Sequence, residues 1–121
     1  MDLMIVDDSK IMQNFILEIC KQFNVLRPVA IVSDGQEAVR EFIKHKPHII
    51  TMDLTMPNLD GIGAIKKIIK IDPSVKILVI SAVTDSETAI QSLSAGARGF
   101  LVKPFSREEL TEYMIEVLKE K

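Results

Sequence analysis

His48-Ile49-Ile50-Thr51-Met52 is an almost unbroken run of apolar and β-branched residues, and it ends on an acid, Asp53. A strand with one face in water alternates polar and apolar residues. A run that is apolar on both faces suits a strand covered from above and below, as in a parallel sheet with helices on each side. Leu3-Met4-Ile5-Val6 upstream and Ile77-Leu78-Val79-Ile80 downstream have the same character. Gly99-Phe100-Leu101-Val102 is a further strand candidate, and Pro28-Val29-Ala30-Ile31-Val32 a weaker one.

Between these runs the apolar residues fall at helical spacing. Ile11, Phe15, Ile19 and Phe23 recur every four residues, flanked by Met12, Ile16 and Cys20. Ala38, Val39, Phe42 and Ile43 follow Asp34-Gly35-Gln36-Glu37, which starts like a capping box. Ile62, Ile65, Ile68 and Ile69 follow Asp60-Gly61. Ala89, Ile90 and Leu93 form a shorter stripe closed by Gly96, with Thr88, Gln91 and Ser92 expected outside. Leu110, Met114, Val117 and Leu118 follow Ser106-Arg107-Glu108-Glu109, a second capping-box spacing. The pattern is βα repeated five times. It predicts an α/β fold, (βα)5, with a doubly wound parallel five-stranded sheet. One domain over residues 1–121 is expected, with no output domain after it.

Composition agrees. The 121 residues are 47% hydrophobic and 26% charged, with a formal net charge of -2. That balance supports a packed core and argues against disorder. The scattered charges do not form the basic footprint of a nucleic-acid binder. No apolar run is long enough to span a bilayer. The N-terminus lacks the basic start and length of a signal peptide. A single cysteine, Cys20, allows no internal disulfide and sits on an apolar stripe. A cytoplasmic, monomeric protein is expected, with no direct contact to nucleic acid or membrane.

The chemistry lies in what ends each strand. Asp7-Asp8 ends the first, Asp53 the third, Ser81 the fourth and Lys103 the fifth. Right-handed crossovers make all these strands parallel, so their C-terminal ends share one edge. Ligands of open α/β sheets bind along that edge. Each group alone has an ordinary explanation: a loop carboxylate, a turn-capping serine, a solvated lysine. Three carboxylates, a hydroxyl and an ammonium from four segments are a site. The acids repel one another, and one lysine does not neutralise them. Their all-oxygen donor set calls for Mg²⁺ or Mn²⁺ rather than zinc. His45 and His48 lack the spacing of a metal pair. The lysine supplies a point charge for a phosphate oxygen, and a carboxylate can attack phosphorus itself.

Other phosphate chemistries fit less well. Gly61-Ile62-Gly63-Ala64-Ile65-Lys66 lacks the third glycine of a dinucleotide loop and stands seven residues from its strand. No Gly-Lys-Ser/Thr phosphate loop is present. A flavin phosphate would be repelled by Asp7-Asp8. The alternative of a Mg²⁺-dependent aspartyl-phosphate phosphohydrolase of the haloacid-dehalogenase type needs a second Asp where Thr55 stands.

Four segments together, Val6-Asp7-Asp8-Ser9, Met52-Asp53-Leu54-Thr55-Met56-Pro57-Asn58-Leu59-Asp60-Gly61, Ile80-Ser81-Ala82 and Gly96-Ala97-Arg98-Gly99-Phe100-Leu101-Val102-Lys103-Pro104-Phe105, resemble the receiver domains of two-component response regulators, of the CheY-like single-domain type. The resemblance covers essentially the whole chain. It implies a flavodoxin-like sheet in the order 2-1-3-4-5. It implies that Asp53 accepts the phosphoryl group and that Asp8, Asp53 and the backbone carbonyl of Thr55 hold the cation. Asp7 would act through a metal-bound water. Lys103 and Ser81 would contact the phosphoryl group. Phe100 takes the aromatic switch position, without the hydroxyl of a tyrosine. The implied partners are a sensor histidine kinase or histidine phosphotransfer protein and an unnamed downstream protein, in a chemotaxis or phosphorelay role. Output is expected through the fourth helix, fifth strand and fifth helix. The resemblance also implies a cis Lys103–Pro104 bond. It places Thr55 and Val83 beside the hydrolytic water, where an apolar Val83 predicts slow loss of phosphate.

Overall fold

The computed structural model describes residues 1–56, 60–82 and 86–119. Along the chain run β1 (Asp2–Val6), α1 (Lys10–Cys20), β2 (Arg27–Val32), a 3₁₀ turn (Gly35–Glu37), α2 (Ala38–His45), β3 (Ile49–Met52), α3 (Gly61–Ile71), β4 (Lys76–Ser81), α4 (Ser86–Ser94), β5 (Gly99–Val102) and α5 (Arg107–Lys119). The strands form one sheet in the order β2-β1-β3-β4-β5, with every pairing parallel. The predicted fold and strand order are therefore observed.

Position in the sheet explains the hydropathy of each strand. The three interior strands β1, β3 and β4 are buried along nearly their whole length, which is why they read as continuous apolar runs. Strand β2 lies at one margin and is largely exposed or half-buried. Pro28 has no N–H to give a ladder and is tolerated at such an edge. The register of β2 on β1 slips beside it: Leu3 pairs with Pro28, but Met4 pairs with Ala30.

Two apolar layers sandwich the sheet. One joins Met4, Val6, Ile50, Met52, Ile77 and Val79 to Phe42 of α2 and Ile65 and Ile68 of α3. The other joins Leu3, Ile5, Leu78, Ile80 and Leu101 to Ile16 and Ile19 of α1 and Leu110, Met114 and Val117 of α5. Ser106 and Glu109 form the predicted capping box at α5: Glu109 N–H donates to Ser106 Oγ at 3.1 Å, and Ser106 N–H donates to the Glu109 carboxylate at 2.9 Å. Asp34 instead caps its turn through the Gln36 N–H, while Glu37 pairs with Arg40. Cys20 is buried, and its burial pushes the thiol up to about 11, which makes it a core residue.

Helix α4 departs from the expected facing. Ser92 is fully buried, whereas Ile90 and Leu93 are 62% and 46% exposed. The expectation fails for Ile90, Ser92 and Leu93, while Gln91 is exposed as expected. The Ser92 hydroxyl satisfies itself by donating to the Ala89 carbonyl at 2.8 Å, so a small polar residue can face inward. Ile11, which opens the α1 periodicity, is likewise 84% exposed, and Gln13 takes the inward place beside it. Gly96 ends the α4 segment at φ +122°, a region that L side chains rarely adopt.

The free margin of β5 is closed by Tyr113 of α5. Its hydroxyl accepts from the Phe100 N–H at 3.2 Å and donates to the Phe100 carbonyl at 2.8 Å. The ring lies over Gly99, where a Cβ would stand 2.5 Å from a ring carbon. Tyr113→Phe keeps the ring but deletes both bonds. It is expected to lower unfolding stability by about 1–2 kcal/mol, read from denaturant midpoints.

Candidate functional site

The C-terminal ends of β1, β3, β4 and β5 meet along one edge, and the sequence-predicted residues meet there. Asp53 follows the central strand β3, and its N–H donates to the Val6 carbonyl at 2.9 Å. Asp7 follows β1 and donates its N–H to the Val32 carbonyl of β2 at 3.0 Å. Lys103 follows β5 and donates its N–H to the Ser81 carbonyl of β4 at 2.9 Å. The sheet ladder thus continues one residue past each strand and fixes where these side chains start.

Asp7 is 1%, Asp53 3% and Ser81 0% exposed, while Asp8 faces solvent. One carboxylate oxygen from each of Asp7, Asp8 and Asp53 lies within 4.8 Å of the others. The Lys103 ammonium bridges two of these acids, at 2.9 Å from Asp7 Oδ2 and 3.1 Å from Asp53 Oδ2. Burial alone would lower the Lys103 pKa. The hydrogen bond to Asp7 and the charge of Asp53 outweigh it, so the group lies above the ordinary lysine value. The ammonium is therefore charged at neutral pH. What this pairing adds to stability is present in full below the unfolded lysine value of about 10.4. It is lost only as pH rises through the raised folded value.

The other oxygens of Asp7 and Asp53 are also committed. Thr55 donates to Asp53 Oδ1 twice, from its N–H at 2.9 Å and from its hydroxyl at 2.7 Å. Ser9 donates its N–H to Asp7 Oδ1 at 2.9 Å, and its own hydroxyl caps α1 through the Met12 N–H. Asp7 and Asp53 are thus aimed by backbone as well as by charge. Asp8 makes no ion pair or hydrogen bond among the described residues. Three clustered acids facing one lysine leave an excess of negative charge, and an oxygen-only set of this kind fits a hard divalent cation.

The pattern of strand ends did not disclose every contributor. Gln13 is buried on α1, and its amide donates to the Asp7 carbonyl and to Ser33 Oγ at 3.0 Å. It ties the β1 and β2 ends of the site together. Its signal in the sequence was a polar residue where the helical periodicity points inward. The direct Lys103–Asp7 pair was not foreseen either, since spacing placed the lysine opposite a phosphate rather than on an acid. The Lys103–Pro104 bond is cis, as the resemblance implied. Pro57, Asn58 and Leu59 of the quoted motif, and Val83, lie outside the described residues.

Comparison with known proteins gives a consistent answer. A family model described as the response regulator receiver domain matches residues 3–115. The chain is 40% identical over 116 residues to the chemotaxis protein CheY of Thermotoga maritima, covering 96% of each. It is 37% identical to the chemotaxis protein CheY of Bacillus subtilis, again over 96% of each. The response regulator domain of Thermotoga maritima CheB is similar with a TM-score of 0.87 and 32% identity, over 100% of this chain and 98% of that one. A CheX–CheY complex with BeF3 and Mg²⁺ from Borrelia burgdorferi contains a chain with a TM-score of 0.90 and 29% identity, over 98% of this chain and 90% of that one.

Proposed function

The chain belongs to the response regulator receiver domain family, and on that premise we propose that Asp53 is the phosphoacceptor of a chemotaxis signalling switch. The observation that carries the assignment is the position of Asp53. It is the buried acid at the end of the central strand, held by Thr55 on one oxygen and by Lys103 on the other. A phosphohistidine on a sensor kinase or phosphotransfer protein is the donor, and the modified surface binds a separate target. The relatives that support this are chemotaxis proteins, and one related structure holds a CheX partner.

Asp8, Asp53 and the Thr55 carbonyl would hold a Mg²⁺ ion, which would supply positive charge to offset that of the incoming phosphoryl group. The residues do the rest. Thr55 and Lys103 hold the Asp53 carboxylate in one orientation, ready for in-line attack. In that attack an Asp53 oxygen bonds to phosphorus as the bond to the donor nitrogen breaks, and the imidazole keeps the electron pair. Lys103 can then leave Asp7 and Asp53 for a phosphoryl oxygen, since a flexible ammonium is free to change partners. Ser81, beside it on β4, supplies a hydroxyl for another oxygen. Phe100 on β5 carries the change to α4 and α5, where exposed Ile90 and Leu93 offer an apolar surface. The chain assists its own phosphorylation and dephosphorylation without being a turnover enzyme. A cytoplasmic location is part of the same reading; no described helix is long and apolar enough to cross a membrane.

The test is stoichiometry. With acetyl phosphate and Mg²⁺ the protein is expected to gain one phosphoryl group and stop, by intact mass. Sustained release of phosphate from monoesters would support the phosphohydrolase instead. Lys103→Ala should slow this labelling while leaving Mg²⁺ affinity equal or higher, because the ammonium occupies oxygens that a cation could use. Calorimetric titration of the variant with Mg²⁺ checks this, and a weakened affinity would contradict it.

A further inference from the structure

Asp8 is the least held of the clustered acids. It faces solvent and has no hydrogen bond or ion pair of its own among the described residues. Asp7 and Asp53, by contrast, are buried and bound through both carboxylate oxygens. A ligand must nonetheless stand within about 0.5 Å of the productive geometry to hold its ion well. What places Asp8 is therefore the peptide that precedes it.

Gln13 holds that peptide. Its side-chain amide has two N–H groups, and it donates one to the Asp7 carbonyl and one to Ser33 Oγ at 3.0 Å. The Asp7 N–H continues the sheet ladder to the Val32 carbonyl, but β2 ends there and the chain turns toward Gly35. Among the described residues no strand amide follows to take the Asp7 carbonyl, and Gln13 takes it instead. A peptide unit is planar, so pinning this carbonyl also fixes the nitrogen and Cα of Asp8. The amide is 6% exposed, on a helix whose other buried residues are Ile16, Ile19 and Cys20. Burying an amide among them costs stability unless its bonds are made. We propose that Gln13 is a positioning residue of the cation site: from α1 it fixes the Asp7–Asp8 peptide and so sets the affinity of Asp8 for the divalent cation. The inference rests on the ligand role given to Asp8 above. Ser33 anchors the amide from the β2 side and has the lesser part, since its loss leaves the bond to Asp7 in place.

Gln13→Met keeps the length and fills the space but has no N–H to give. Titration with Mn²⁺, followed by water-proton relaxation, should show an affinity about tenfold below the parent's, as for loss of a group that orients a ligand. Ser33→Ala should lose less. In an Asp8→Ala background Gln13→Met should leave Mn²⁺ affinity unchanged, because the ligand it places is gone. Labelling by acetyl phosphate should need about tenfold more Mg²⁺ yet reach the parent's rate at saturation, which a generally loosened site would not do. In the parent, cation binding should slow solvent exchange of the Gln13 side-chain amide, because the coupling runs both ways. That measurement decides the matter even if the variant does not fold. Parental Mn²⁺ affinity in Gln13→Met, a larger loss in Ser33→Ala, full additivity with Asp8→Ala, a labelling rate that excess Mg²⁺ does not restore, or amide exchange unmoved by the cation each overturn the proposal. A parent that binds no Mn²⁺ refutes the cation site itself; a parent that binds it, with the variant equal, refutes the role of Gln13 alone.

Discussion

Asp53→Asn should take up no phosphoryl group from acetyl phosphate under conditions that label the parent fully. The substitution is nearly isosteric, and the site should accept it. Asn Oδ1 can still receive the Thr55 N–H and hydroxyl that Asp53 Oδ1 receives at 2.9 and 2.7 Å. What is lost is the nucleophile, because an amide nitrogen shares its lone pair with the carbonyl and has no negative charge to give to phosphorus. No neighbour can replace it from the same place. Asp7 is buried with one oxygen on Ser9 and the other on Lys103, and Asp8 sits at the solvent-facing rim. The expected loss is therefore complete, not partial. Intact-mass spectrometry with and without acetyl phosphate measures it, and circular dichroism verifies that the variant folds. Labelling of the variant to the parent's extent would move the phosphoacceptor to another residue. Thr55→Ala should have a milder effect, since it removes the hydroxyl but keeps the backbone N–H.

The division between what the sequence disclosed and what it hid follows from how the chain is packed. Ile49, Ile50 and Ile77 to Ile80 are buried on both faces of the sheet, and such burial forces an apolar run that is visible without coordinates. The polar strand ends stand out against those runs, so Asp7, Asp8, Asp53, Ser81 and Lys103 were legible as one edge. Strand order was legible only through resemblance, because nothing local in β1 states which strand lies beside it. Helix α4 was misread because periodicity cannot see which side of a weakly amphipathic helix meets the sheet. Ile90 and Leu93 look like core residues, yet the core there is served by Ser92, whose hydroxyl is satisfied within its own helix. Gln13 and Tyr113 were missed for a related reason. Each acts through a backbone group far away in sequence, at Asp7 and Ser33 for one and Phe100 for the other, and long-range side-chain bonds leave no periodic trace.

Removing the divalent cation should abolish phosphate uptake as fully as Asp53→Asn, and the two acids after β1 should share that dependence unequally. Asp7 is buried, with its oxygens committed to the Ser9 N–H at 2.9 Å and the Lys103 ammonium at 2.9 Å. Asp8 is exposed, and its carboxylate has no partner among the described residues. A cation arriving from solvent meets Asp8 at no cost in broken bonds, whereas it must displace Lys103 to reach Asp7 Oδ2. We propose Asp8 as a direct ligand on this ground. Asp53, whose Oδ2 also pairs with Lys103 at 3.1 Å, must give up that bond to bind the cation, and the water-mediated role of Asp7 rests on the family resemblance. Loss of an outer-sphere partner typically weakens a metal site by about 10–100-fold. Asp7→Ala should fall in that range, and Asp8→Ala should exceed it. Titration with Mn²⁺ followed by water-proton relaxation reads the affinity without any phosphoryl transfer, so a failure of the chemistry cannot mimic the result. Asp7→Ala should carry a second signature as well. It leaves the Lys103 ammonium with Asp53 alone among the acids it touches, so the pKa of Lys103 should drop toward its ordinary value, visible by NMR of the side chain. Undiminished labelling in excess chelator, or a larger loss of Mn²⁺ affinity in Asp7→Ala than in Asp8→Ala, would refute the assignment.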